Sequence, residues 1–91
     1  MVHITLAYGV EDFDKWKLGF ESHSEARKAA GCLSTNVYVR PDDRNSLNVA
    51  FEWDSKENFV KYSNNPELKE AMAKSGLTSQ PTIKFWDLQT D

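Results

Sequence analysis

The stretch Phe13 to Ala30 constrains the fold more than any other. Placed about 100° apart around a helix axis, Phe13, Trp16, Phe20, His23, Arg27 and Ala30 share one face at spacings of three and four. Asp14, Lys17, Glu21, Ser24, Glu25 and Lys28 occupy the opposite face, which suits water. The pattern predicts one helix over Phe13–Ala30, capped by Asp12 and ended at Gly31. Its inner stripe starts as aromatic rings and finishes as His23 and Arg27. An imidazole and a guanidinium in a buried stripe need partners, and either the protein or a ligand can supply them.

The remaining segments alternate differently. Val2 to Tyr8 sets Val2, Ile4, Leu6 and Tyr8 against His3, Thr5 and Ala7, the period of a half-buried strand. His3 lies on its less apolar side and reads as a surface or interface histidine. Leu33 to Arg40 is a second strand, with Leu33, Thr35, Val37 and Val39 on one side. Pro41 to Asn45 is a polar turn, and Ser46 to Trp53 is a third strand with Leu47, Val49, Phe51 and Trp53 on one face. So short a connection predicts an antiparallel hairpin. Asp54 caps a second helical region with Glu57 placed as in a capping box. Asn64-Asn65-Pro66 interrupts it, and Asn65 with Pro66 restarts it. Leu68, Ala71, Met72 and Ser75 form the inner stripe of this second part, and Gly76 ends it. Leu77 to Pro81 is a loop. Thr82 to Leu88 is the last strand, with Ile83 and Phe85 on one face and Lys84, Trp86 and Leu88 on the other.

Ninety-one residues make one domain, and a chain this short often gains stability by pairing with a copy of itself. The net charge of −3 comes with no basic helix face, which argues against nucleic acid. No apolar run approaches the roughly 20 residues of a membrane span, and the start carries no signal-peptide pattern. Cys32 is the single cysteine, so a reducing, cytoplasmic setting is expected. It reads as a small packed residue, because nothing local supplies a base to lower its pKa. No metal-ligand set is evident.

Strand, helix, strand, strand, helix, strand is the order of a ferredoxin-like α+β domain. Right-handed crossovers place both helical regions on one face of a four-stranded antiparallel sheet. The other face would then hold Ala7, Tyr38, Ala50, Trp86 and Leu88 without cover. A second copy related by a two-fold axis is the simplest partner, which predicts a homodimer with sheets back to back.

At this point the chain resembles a family. Val10-Glu11-Asp12-Phe13-Asp14-Lys15-Trp16, the His23…Arg27…Gly31 spacing, Phe51-Glu52-Trp53-Asp54 and Asn65-Pro66-Glu67-Leu68-Lys69-Glu70-Ala71-Met72 are similar to short members of the dimeric α/β-barrel superfamily, the relatives of antibiotic biosynthesis monooxygenases. The resemblance covers nearly the whole chain. It implies a sheet-to-sheet dimer with a ligand cavity between sheet and helices in each subunit. It also implies a choice among cofactor-free monooxygenases, haem-degrading enzymes, polyketide cyclases, lactone isomerases and ligand-sensing domains. The haem-degrading members hold iron through a histidine in the second helical region, and residues 55–75 contain none. Quinone-forming members grip substrate with Asn, Trp and Arg. Those residue types occur here at Asn36 and Asn48, at Trp16 and Trp53, and at Arg27, but none is carried over as catalytic on that ground.

Two readings of His23 and Arg27 stay open. In one they are the catalytic floor of a pocket: Arg27 grips a carboxylate or enolate oxygen and His23 moves a proton near neutral pH. Trp16, Phe20, Phe51, Trp53 and Met72 would then contact a flat ligand, such as a small aromatic or polyketide-like acid or enol. That chemistry suits a cofactor-independent monooxygenase, isomerase or cyclase. In the other, Arg27 pairs with Glu52 or Asp54, His23 bonds a backbone carbonyl, and the protein is a non-catalytic binding or structural dimer.

Overall fold

The computed structural model describes residues 1–74 and 76–90. Four strands, β1 (Val2–Gly9), β2 (Cys32–Arg40), β3 (Asp43–Trp53) and β4 (Thr82–Trp86), form one sheet in the order β2-β3-β1-β4. Every neighbouring pair is antiparallel. Four helices, α1 (Phe13–Ser22), α2 (Ser24–Ala30), α3 (Lys56–Ser63) and α4 (Pro66–Lys74), fill the two crossovers. This is the ferredoxin-like α+β plan. Among the described residues no helix is long and apolar enough to cross a membrane.

The alternation read from the sequence sets the core. Ile4, Leu6 and Tyr8 of β1 and Leu47, Val49, Phe51 and Trp53 of β3 are buried in one cluster with Trp16 of α1 and Phe59 of α3. The ladder sets Ile4 opposite Phe51 and Leu6 opposite Val49, so same-face pairs meet across the strands. Tyr38, Trp86 and Leu88 are more than half exposed, as expected of the opposite face, and Ala7 is also exposed. The Trp86 indole N–H donates to Thr5 Oγ1 at 2.9 Å on that side.

The first helix departs from expectation. It is two helices, broken at His23, whose backbone (φ −97°, ψ 7°) ends α1 and precedes α2. The run Ser22-His23-Ser24 favours this, because short polar side chains compete for backbone groups inside a helix. Ser22 Oγ donates to the Gly19 carbonyl at 2.6 Å. Asp12 caps α1 as expected, and its carboxylate accepts from the Asp14 and Lys15 amides. Gly31 ends α2 at φ +126°, a conformation that favours glycine, and a Cβ there would lie 2.5 Å from the Asp54 carboxylate.

Other boundaries move for local reasons. A register shift between Cys32 and Ser34 turns Leu33 outward, where it is 57% exposed, and Cys32 takes the buried place. The hairpin turn is shorter than the polar run suggests: Arg40 already pairs with Asp43, so β3 starts there and not at Ser46. Asn45 is tied elsewhere; its side chain accepts from the Phe13 amide and donates to the Glu11 carbonyl, joining the hairpin to the start of α1. Ser55, not Asp54, caps α3 by accepting from the Asn58 amide at 3.1 Å, while the Asp54 carboxylate holds the Asn58 side chain. Asn65 does begin α4, accepting from the Glu67 amide at 2.9 Å. β4 stops at Trp86, two residues short of Leu88. The side chain of Ala71 and all of Ser75, both expected on the inner stripe of α4, lie outside the described residues.

Candidate functional site

A cavity of about 630 Å³ opens between the sheet and the helices, well within the range of small-molecule sites. The sheet supplies Leu6, Tyr8, Val49, Phe51 and Ile83 to its wall, and α1 supplies Trp16, Gly19 and Phe20. Phe59 and Tyr62 come from α3, and Leu68 and Met72 from α4. His23 and Arg27 line it from the break between α1 and α2 and from α2. The interior is therefore not filled, contrary to what a purely structural dimer predicts. Gly19 adds to this. A Cβ there would meet no atom within 4 Å, so packing does not demand a glycine that costs a helix about 0.5–1 kcal/mol relative to alanine.

The aromatic wall is continuous. Trp16 stacks on Phe20 with ring centroids 4.7 Å apart, and Phe20 lies 6.2 Å from Phe51. Tyr8 meets Trp16 edge-on at 6.0 Å. Burial pushes the Tyr8 hydroxyl up to about 12, so it stays neutral at ordinary pH. Of the five expected contact residues, Trp16, Phe20, Phe51 and Met72 reach the wall. Trp53 does not. It is fully buried behind the wall, against Phe59 and Tyr62 at 5.4 and 5.3 Å, because the β3 alternation points it into the sheet–helix core beyond the cavity.

Arg27 is only 6% exposed. Its guanidinium lies 3.8 Å from the Phe20 ring centre and donates to the Phe20 carbonyl at 2.8 Å. That carbonyl sits in the last turn of α1, where it also accepts from the His23 amide at 3.2 Å, and the break at His23 leaves it open to the guanidinium. The Tyr62 hydroxyl is the other polar neighbour. Burial lowers the guanidinium pKa, opposed by Tyr62, Cys32 and Tyr8. Burial also raises the Tyr62 hydroxyl, and the charge of Arg27 pulls it back down. The carboxylate partners considered above are engaged elsewhere: Glu52 faces His3 at 3.7 Å and Asp54 holds Asn58. Among the described residues Arg27 has no ion pair.

His23 is half-buried at the cavity wall, and its side chain makes no capping bond to α2. Among the described residues the carbonyl bond considered for it is not formed. Tyr62 is a wall residue that the sequence analysis does not single out. Its spacing from Phe59 was the available signal, since residues three apart on α3 share the side that meets the cavity. Cys32 is buried beside Thr35 and takes no place in the wall.

The chain is thus a small ferredoxin-like α+β domain with an aromatic-walled cavity and a buried arginine on its floor. Residues 3–74 match the antibiotic biosynthesis monooxygenase family, and the chain belongs to it. Solved structures agree on the fold. An antibiotic biosynthesis monooxygenase is 12% identical, with 99% of this chain and 100% of that one covered at a TM-score of 0.79. SnoaB, a cofactor-independent oxygenase from Streptomyces nogalater, is 16% identical, with 99% and 94% covered at 0.80. A conserved protein of Methanosarcina mazei is 17% identical, with 93% and 89% covered at 0.75. A search of curated protein sequences finds no match.

Proposed function

We propose that the cavity binds a small, flat acid or enol and that the protein oxidises it with molecular oxygen, without a cofactor. One observation carries this reading: a buried guanidinium with no carboxylate partner among the described residues faces an aromatic cavity one helix turn from a histidine that makes no side-chain bond to them. A cation so placed is costly unless something anionic joins it. The likeness to a cofactor-independent oxygenase supports oxygenation over the isomerase or cyclase chemistry that the same pair would suit.

In this reading Arg27 holds the enolate oxygen as charge develops there, and His23 takes the proton. The electron-rich ring carbon adds dioxygen to give a hydroperoxide, with His23 returning its proton to the distal oxygen. Water then leaves across the O–O bond and the remaining C–H bond, and a carbonyl forms. One oxygen atom ends in the product and one in water. Dioxygen is the only oxidant required.

Anthrone, a fused-ring ketone in equilibrium with its enol, tests the reaction under ¹⁸O₂. The expected product is anthraquinone carrying one labelled oxygen, with turnover lowered about 100-fold or more in His23→Leu. A ligand-dependent rise in melting temperature without labelled product would instead make the protein a non-catalytic binder.

We also propose that the open sheet face pairs with a second copy. The exposure of Leu33, Tyr38 and Trp86 there supports it. Sedimentation velocity at micromolar concentration is expected to give twice the chain mass of 10.4 kDa, and a single 10.4 kDa species would contradict it.

A further inference from the structure

The chain has 14 acidic residues, and among the described residues none lines the cavity. The cationic and imidazole side chains of the wall are Lys15, Lys69 and Lys74 together with His23 and Arg27. The cations fall into two zones. Arg27 is buried on the floor, and the three lysines are exposed, which places them at the mouth.

The lysines differ in how their charge is used. Lys74 pairs with Glu70 four residues before it at 3.1 Å, and Lys17, outside the cavity, pairs with Glu21 four residues on at 3.7 Å. Such pairs are the ordinary fate of a helix lysine. Lys15 has Gly19 four residues on, and Lys69 has Ala73. Among the described residues neither forms an ion pair. Two uncommitted charges thus flank the entrance, one on α1 and one on α4.

Resting on the reading of Arg27 as an anion holder, we infer that the ligand carries a second acidic group, bound at the mouth by Lys15 and Lys69. The spacing sets its size. The guanidinium lies at the level of Phe20, five residues from Lys15, so the two zones are about 7.5 Å apart along α1. Two fused aromatic rings with an acid at each end match that span and the flat wall between.

The matched probes are 2-naphthoate and 2,6-naphthalenedicarboxylate, titrated calorimetrically into the parent and a Lys15→Ala/Lys69→Ala variant. Symmetry alone gives the diacid a two-fold advantage. The parent is expected to bind it about 5–10-fold more tightly than the monoacid, since exposed lysines contribute modestly. The gap is expected to narrow at high salt. In the double variant the advantage falls to two-fold through loss of diacid affinity. Monoacid binding with no more than a two-fold preference in the parent, or a preference that survives in the double variant, overturns the second acid site while leaving the Arg27 site standing. If neither acid binds, the Arg27 reading fails and the mouth site fails with it.

Discussion

Trp53→Ala is expected to lower the melting temperature by roughly 15–30 °C. The indole is fully buried and packs edge-on or tilted against Phe51, Phe59 and Tyr62. Emptying such a site costs about 3–5 kcal/mol, counting lost transfer energy and the void left behind. A domain of this size holds only about 5–15 kcal/mol in total, and each kcal/mol moves the midpoint by about 4–8 °C. Trp53→Phe is expected to be far milder. The indole N–H has no hydrogen-bond partner among the described residues, so removing it relieves a buried unsatisfied donor and offsets part of the lost packing. Calorimetric melting of both variants checks this, and equal losses would show that ring volume alone is not the issue.

Arg27→Met is expected to separate stability from binding. A methionine keeps much of the side-chain volume without charge. Replacing a buried cation that lacks a carboxylate is neutral or favourable for stability, so the variant should melt at or above the parent. Its affinity for 2-naphthoate should fall about 10–100-fold, the value of charge-assisted hydrogen bonds to a carboxylate. A melting temperature far below that of the parent, with affinity little changed, would make the guanidinium a structural tie between α1 and α2. Its bond to the Phe20 carbonyl would then be its main purpose.

The architecture was legible because its signals are periodic. Ile4, Leu6 and Tyr8, and Leu47, Val49, Phe51 and Trp53, alternate without error, and their burial follows that alternation. The aromatic stripe Phe13, Trp16, Phe20 faces the sheet as its spacing requires. Periodicity has less to say about exceptions. The shift at Leu33 depends on strand register, which a single strand does not encode. The break at His23 lies within an unbroken helical pattern, and only the serines on either side hint at it. That break is also what brings the Arg27 guanidinium onto the Phe20 carbonyl. The placement of Tyr62 beside Arg27 joins residues from different crossovers, and spacing within one helix cannot reveal it. Trp53 shows the converse limit: its face was right, but a face does not say which of its residues meet the cavity and which lie behind it.

The most direct test of the account is a crystal structure of the protein with 2-naphthoate. The predicted result places the naphthalene rings in the cavity against the Trp16–Phe20–Phe51 wall with the carboxylate about 2.7–2.9 Å from the Arg27 guanidinium. A structure in which the cavity stays empty at saturating ligand, or in which the carboxylate binds only at the mouth while Arg27 keeps to the Phe20 carbonyl and Tyr62, would contradict it.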